Sequence, residues 1–590
     1  MSQTEETTLT HHAMLVAWGQ YARCIGLVRA IEAVALHQKA VDHQPQTKVL
    51  EFLVTILGGF EHLKDITYSE HPLDKDVTVA RAWGQPAWAD HSGVSRTLSS
   101  LTPAEAQAVM VATDQVSQPL IDKEIVLALG AGRLEFDGDL TPRPVSNTSS
   151  TYPGAEYGHM HAQIRLGYQA AIVSMKSPTY GRIGLSAKQH AGSTVSCTQA
   201  EGLVIAAESR AGCRPLRRAD LLEKRIADMS SHRMKLAKDV TQAEKRLQER
   251  HTALTVVQQQ IRDTKTKLQV LETDYHQRQI PERPHSKLAK ARNQLDIFQR
   301  RQERHQLKVS KAEKWLRQRQ DRLQAYLAKI EHLQTRLAQF QQDNAQNTNP
   351  VTAVFRLDAG FGTAENIALL IELGYEVYIK PHGNWLSGIL RERAENNPTW
   401  ERVGKNAEMV AWPQVQLEDC PYPLDLACQR FWTDKSYLYS GLLHFGDDEV
   451  VTHLAEWFQY YNARQTIEAG NKELRQVFEV HHLKVRSAPA LQLQEHLALF
   501  AANFVRFASY WLAAQCPQIP EGWKNSAQPA VKQQVKVGAH TSAWVSWIDQ
   551  DCLLRFTDLS VFAGRSFHIR KNWAFQPVLP FLKSYFFSSI

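Results

Sequence analysis

No run of 18 uncharged apolar residues occurs anywhere in the 590-residue chain, so nothing in it reads as a membrane span. The opening MSQTEETTLTHH lacks the basic start and apolar core of a secretory signal. Seven cysteines (24, 197, 213, 420, 428, 516 and 552) contain no C-x-x-C pair, which favours reduced thiols in a cytoplasmic protein over a zinc site or disulfide framework. There is no G-x-x-x-x-G-K-[ST] loop to cradle nucleotide phosphates, and GAGR at 130–133 is short and lacks the lysine, so an ATPase with a long coiled coil is excluded. Net charge is also scarce, at +7 for the whole chain. What is present, 43% apolar and 22% charged residues, is the composition of a globular protein long enough for three or four domains.

The little charge there is lies unevenly. Residues 216–345 hold 29 Lys/Arg against 16 Asp/Glu, a local +13, which leaves −6 for everything else. A basic segment is grafted onto a mildly acidic body. The same segment carries two long heptad registers. Steps of four and three from Leu222 through Ile226, Leu236, Val240, Ala243, Val257 and Ile261 to Tyr275 meet apolar residues at thirteen of sixteen positions. A second register from Leu288 through Ala291, Val309, Ile330 and Leu333 to Phe340 does the same, with Gln302, His305 and Arg319 as exceptions. IPERPHS between them carries two prolines that no continuous helix accepts. Two equal helices around a tight break predict an antiparallel coiled coil roughly 80 Å long. Its Lys/Arg/Gln faces are either solvated or a DNA-contacting or dimerising surface.

Around this arm the pattern is mixed. Residues 1–125 read as a helical, DNA-binding region. WADHSGVSRTLSSL at 88–101 is a turn into a short helix, with Ser95, Arg96 and Thr97 placed to read DNA if this is a helix-turn-helix, or an ordinary helical connection otherwise. Strand-like alternation appears in LEFD and in IRLGYQAAIVSM. VTAVFRLDAGFG, AENIALLIELG and YEVYIK then form a β-α-β pattern that implies a parallel pair. Residues 381–450 are β-like with Trp385, Trp400, Trp412 and Trp432; 451–515 are helical; 516–590 are a small β-rich appendage.

Carboxylates recur at three informative places. Asp137 and Asp139 in FDGDLT share one strand face, Asp358 ends VFRLD beside Gly360 and Gly362, and Glu468 lies on YYNARQTIEAGNKELRQ. Singly, such residues cap turns or face solvent. Together they resemble insertion-sequence DDE transposases. RLDAGFG followed by a helix and a strand is similar to the second-aspartate motif. Tyr461, Arg464, Glu468 and Arg475 follow the Tyr-x2-Arg-x3-Glu-x6-Lys signature, with Arg in place of the final Lys and Lys472 one turn earlier. Their spacings of 3, 4 and 7 place all four on one stripe of a continuous helix. D-x-D-x-T at 137–141 is similar to the first-aspartate motif, with Asp139 or Asp137 as the ligand.

The resemblance implies an α/β fold: an RNase H-like mixed-sheet catalytic core in two parts (126–215 and 346–380), an N-terminal helical region, the coiled-coil insertion 216–345, a β-rich insertion 381–450 and a catalytic helix region 451–515. It implies a bacterial, nucleoid-associated transposase that binds the terminal inverted repeats of its element, and target DNA, as a homodimer. Cleavage and strand transfer would use two Mg²⁺ ions, with Mn²⁺ able to substitute, held by Asp139 (or Asp137), Asp358 and Glu468. Tyr461, Arg464, Lys472 and Arg475 would contact DNA. The β insertion would hold the element end, one tryptophan stacking on a flipped base. An inactive, transposase-derived DNA-binding scaffold is the alternative.

Overall fold

The computed structural model describes residues 6–569 apart from 41, 147–151, 161–162, 384, 397–398, 435, 516–529, 549–550 and 558–565. They belong to two compact units, one of residues 1–216 and 349–590, the other of 217–348. The chain begins with β1 (Glu6–Thr10) and seven helices: α1 (Ala13–Cys24), α2 (Leu27–Glu32), α3 (Pro45–Leu57), α4 (Asp65–Tyr68), α5 (Val77–Ala82), α6 (His91–Ser99) and α7 (Pro103–Gly130). Strands β2 (Leu134–Pro144), β3 (Glu156–Met160), β4 (Gln163–Ser177) and β5 (Gly181–Ala191) follow, then α8 (Ala200–Ala211). The long α9 (Ala219–Gln277) and α10 (Lys287–Gln346) make up the second unit. The first unit resumes with β6 (Ala353–Leu357), α11 (Ala364–Glu372), β7 (Glu376–Ile379), α12 (Ser387–Asn396), β8 (Glu401–Arg402), β9 (Ala407–Val415), β10 (Leu424–Trp432) and β11 (Tyr437–Phe445). It ends with α13 (Leu454–Asn462), α14 (Gln465–Gln476), α15 (Ala488–Gln515), α16 (Val531–Lys536) and β12 (Ala543–Ile548), β13 (Asp551–Phe556) and β14 (Ser566–Ile569).

A ten-stranded sheet organises the first unit. From one side it runs β5-β4-β2-β6-β7-β11-β10-β9-β8, with β3 also on β4. β5, β4 and β2 are antiparallel, β2, β6 and β7 are parallel, and β7 to β8 are antiparallel again. β6, the centre of the parallel part, is buried at all five residues, as expected of a strand covered on both faces. Thr363 caps α11 by accepting from the Asn366 N–H, and α11 carries the chain from β6 to β7. On one face Phe136 and Phe355 meet at 5.8 Å between ring centroids. Gly138 lies on that face too: a Cβ there would sit 2.7 Å from Leu357 Cδ2 and 2.9 Å from Leu203 Cδ1 of α8, so only glycine lets α8 pack this closely. The opposite face takes α13, which inserts Leu454, Trp457 and Tyr461 (7%, 2% and 3% exposed) into a cluster with Val354, Tyr378, Met409 and Leu442. Each such side chain contributes about 1.5–3 kcal/mol on burial. The β-rich stretch 381–450 thus extends the central sheet through the β7–β11 pairing.

The N-terminal region departs from its all-helical expectation at one place. β1 pairs antiparallel with β12, so the start of the chain completes a four-stranded sheet, β1-β12-β13-β14, with the C-terminal strands. α6 begins at His91, where the Asp90 carboxylate accepts from the Gly93 N–H; Ser95, Arg96 and Thr97 therefore lie mid-helix and Thr97 is buried. A capping box of Thr102 and Glu105 opens α7. Six cysteines are free thiols, and Cys516 lies outside the described residues, as does much of 516–590. No helix among the described residues is long and apolar enough to cross a membrane.

The second unit is an antiparallel helical hairpin. Arg217–Asp343, Arg319–Asp239, His251–Glu313 and Arg292–Glu272 are ion pairs whose partners run in opposite sequence order along the two helices. Its buried residues, including Leu222, Ile226, Val240, Ala243, Leu288, Val309, Ile330 and Phe340, fall on the two heptad registers. Ser286 caps α10 through the Ala289 N–H, directly after the proline-containing break.

Candidate active site

The site is built in layers on the sheet face that carries α13 and α14. The β2–β6 register pairs Asp137 with Arg356, and the β6–β7 register pairs Arg356 with Tyr378. Continuing both registers to the next residues on the same face sets Asp139, midway along β2, in a row with Asp358 and Lys380, which follow the last residues of β6 and β7. The lower layer is neutralised when Glu135, 3.4 Å from Arg356, is counted with it. Asp137 is fully buried; Arg356 donates to both its oxygens (Nε 2.7 Å, Nη2 2.9 Å) and Arg182 Nη2 adds a third bond at 2.7 Å. Arg356 also donates to the Tyr460 carbonyl at 3.0 Å and so anchors α13. Both Asp137 oxygens are held by guanidinium groups, an arrangement less open to a metal than that of Asp139.

The upper layer has no such balance. Asp139 accepts from the Thr141 hydroxyl (2.8 Å) and from the Asn471 amide (2.5 Å), and Asn471 also reaches Thr141 Oγ1 at 2.9 Å. Burial raises the Asp139 pKa above the usual aspartate value, and the nearby Asp358 raises it further, against the Thr141 hydrogen bond and Arg464. Asp358, half-buried, turns the chain after β6 by accepting from the Gly360 N–H at 2.9 Å. A Cβ at Gly362 would overlap the Lys380 carbonyl oxygen, which accounts for glycine at that turn. Burial and then Arg464 hold the Lys380 ammonium below its ordinary pKa, while Glu468 and Asp358 act the other way.

The helix bearing the remaining groups is not continuous. α13 stops at Asn462, and Ala463 and Arg464 form a tight turn in which the Ile467 N–H bonds three residues back to the Arg464 carbonyl. The expected single stripe is therefore split. Tyr461 and Arg464 are buried, whereas Glu468, Lys472 and Arg475 are exposed and the inward face of α14 is Ile467, Asn471 and Leu474. Tyr461, expected on DNA, is 3% exposed and its hydroxyl donates to the Leu357 carbonyl at 3.0 Å, so it supports the strand end that carries Asp358. Arg464 is the hub. Burial works against its charge, but Tyr461, Asp358, Asp139 and Glu468 together raise its pKa. Its Nη2 meets Glu468 at 3.3 Å, and its buried Nη1 has no partner among the described residues.

Asp139, Asp358 and Glu468 surround one guanidinium but are too widely spread to hold a single ion. Among the described residues, threefold groups of His, Cys, Asp or Glu ligand atoms within 4.8 Å of one another occur only elsewhere. The donor set is all oxygen, which suits Mg²⁺ rather than a softer metal. A pair of like-charged carboxylates, one of them buried, is an arrangement that a cation would relieve. Asn471, Lys380, Arg356 and Arg182 were not singled out in the sequence. Lys380 had a signal, as the last residue of YEVYIK in the strand after the Asp358 strand; a lone helical Asn has none.

Beside the row, a cavity of about 550 Å³ runs from Ala359 and Lys380 to Trp400, Arg430 and Tyr439. The Arg430 guanidinium lies 4.1 Å from the Trp400 ring and 4.5 Å from the Tyr437 ring. Trp432 and Tyr439 are more than half exposed. Trp385 instead donates its indole N–H to the Gly362 carbonyl at 3.2 Å, and Trp412 packs on Arg393. No protein-family model matches the chain, and no curated protein matches its sequence.

Proposed function

We propose that the chain is a DDE transposase that binds the ends of its element and catalyses metal-dependent phosphodiester hydrolysis and strand transfer. The observation that carries this reading is the row of Asp139, midway along β2, and Asp358, just past the end of its parallel neighbour β6, with Glu468 coupled to both through Arg464. The order β5-β4-β2-β6-β7, three antiparallel strands followed by two parallel ones, supports an RNase H-like core beneath it.

Asp139, Asp358 and Glu468 would hold two Mg²⁺ ions, which supply charge stabilisation for the attacking and leaving oxygens of an in-line displacement at phosphorus. The protein's own groups do the rest. Asn471 and Thr141 fix the Asp139 carboxylate, and Asp358 is fixed by the Gly360 N–H. Tyr461 braces the strand end at Leu357. Arg464 compensates the carboxylates before DNA arrives, and its unpaired Nη1 is a ready donor for a phosphate oxygen. Lys380 adds a second cation at the same edge. Lys472 and Arg475, exposed on α14, serve phosphates further along the duplex. The cavity walled by Trp400, Arg430 and Tyr439 has the aromatic and cationic lining that receives an unstacked base.

The test uses a plasmid carrying the gene with its flanking DNA. Asp358→Ala and Glu468→Gln are each expected to abolish Mg²⁺-dependent cleavage while retaining DNA binding. Undiminished cleavage in either variant overturns the metal assignment, and binding without cleavage by the wild-type protein turns the reading to a DNA-binding scaffold.

A further inference from the structure

A second set of metal-ligating side chains lies away from the carboxylate row, where two loops of the first unit meet. One is the turn between α3 and α4, with Glu61 and His62; the other is the segment between α14 and α15, with Glu479, His481 and His482. Glu479, His481 and His482 bring one ligand atom each within 4.8 Å of the others, and Glu61, His62 and His482 form an overlapping group. His481 Nδ1 and His482 Nδ1 lie 3.6 Å and 3.9 Å from the same oxygen, Glu479 Oε2. These separations are too long for good hydrogen bonds, and both nitrogens are buried with no hydrogen-bond partner among the described residues. They approach the ~3.3 Å expected between ligand atoms that sit ~2.0–2.1 Å from one tetrahedral ion.

The surroundings hold this geometry. Gly59, with φ +62°, brings the first loop against the Val477 carbonyl, where a Cβ would stand 2.7 Å from the oxygen. Lys536 spans both loops, donating to the Gly59 carbonyl (2.9 Å) and to Glu479 Oε1 (2.6 Å), which leaves Oε2 to the histidines. Lys484 bonds the Glu479 backbone carbonyl at 3.2 Å rather than its carboxylate. Glu479 itself adopts a left-handed backbone, φ +53°, uncommon for a residue with a side chain. Gln494 clasps the loop, accepting from the Lys484 N–H (2.9 Å) and donating to the His482 carbonyl (3.0 Å). His62 stacks on His482 with ring centroids 5.2 Å apart.

We propose that this cluster binds one divalent transition-metal ion of the zinc class through Glu479, His481 and His482, with the Glu61–His62 turn closing the site. Two imidazoles and a carboxylate select zinc, cobalt or nickel over Mg²⁺, so the ion is chemically distinct from any bound at the carboxylate row. It ties the segment leaving α14 to the N-terminal helices, a staple at the base of the helix that bears Glu468 and Asn471.

The full-length protein, stripped with chelator and then incubated with Zn²⁺ or Co²⁺, is expected to retain about one equivalent after gel filtration and, with Co²⁺, to show the visible bands of a tetrahedral nitrogen-ligated ion. The double variant His481→Ala/His482→Ala should lose that equivalent, and His62→Ala, on the exposed turn, should bind roughly tenfold more weakly. Asp358→Asn should bind as the wild type does, which separates this site from the carboxylate row. Retention of less than about a tenth of an equivalent by the wild type overturns the site, as does full binding by the double histidine variant. Should the double variant fail to fold, the wild-type stoichiometry and His62→Ala decide; His62→Ala binding at wild-type strength overturns the closure between the two loops.

Discussion

Two layers of one sheet face each place an aspartate on β2 and have opposite fates. In the lower, Asp137 meets Arg356 and Arg182 and every charge has a partner. In the upper, two residues along the same strands, Asp139 meets Asp358, and the compensating Arg464 comes from a different element and has one nitrogen without a partner among the described residues. The difference teaches that a buried aspartate is not functional by virtue of being buried. The lower layer fixes the strand ends so that the upper layer can hold charge it does not balance.

The comparison is broken most severely from the upper layer. Asp358→Ala should reduce Mg²⁺-dependent cleavage by about 10³-fold or more, the loss of several kcal/mol of transition-state stabilisation, with little change in a urea melt. From the lower layer, Asp137→Ala deprives the buried Arg356 and the partly buried Arg182 of their shared carboxylate and should cost about 3 kcal/mol of folding stability, read as a drop in the urea midpoint. Trp400→Ala should weaken binding to DNA with an unpaired base at the element end by about 1–3 kcal/mol and leave fully paired duplex affinity nearly unchanged, as titrated by fluorescence anisotropy.

Asp139→Asn sharpens the contrast through pH. A carboxyl whose pKa is raised on folding costs stability while it is ionised in the folded state, and the cost disappears as pH falls through the raised range. The variant should therefore be more stable than wild type at neutral pH without divalent ions, and the gain should shrink on acidification; a constant gain would assign it to packing. Smallest of all, Lys472→Ala or Arg475→Ala should lower the salt dependence of DNA binding by about one unit of slope without altering specificity.

The parts legible in the sequence were those with long or repeated signals. The hairpin registers extend over more than a hundred residues, and every buried position of α9 and α10 lies on them. Asp358 and the β6-α11-β7 unit were legible because Gly turns and a short amphipathic helix punctuate them. The different surroundings of Asp139 and Asp137 were not, since they depend on Arg182 and Arg356, which are generic in type and in the case of Arg356 remote in sequence. The break at Ala463–Arg464 was hidden because Ala463, Arg464 and Gln465 are themselves good helix formers, and it moved Tyr461 from an expected DNA contact to a brace. Asn471 escaped because its importance comes only from what it faces. The pairing of β1 with β12 joins segments more than five hundred residues apart, a distance no local pattern reports.

The hairpin has a further consequence for how the chain reaches its native state. β2 and β6 are neighbours although 219 positions separate their paired residues, and the 217–348 excursion lies between them. At the foot of the hairpin Asn344 exchanges hydrogen bonds with the Arg217 backbone, and just outside it the Val351 N–H meets the Arg214 carbonyl. Because the two helices zip by contacts that begin at their own tight bend, the excursion closes itself before the strands on either side need to find each other. With the hairpin closed, the effective separation between β2 and β6 falls from 219 residues to about 90, which lowers the closure entropy of the later search by about 0.8 kcal/mol. For a nascent chain leaving the ribosome, the coiled coil works as a zip fastener that brings the start of β6 back beside the segment that follows α8.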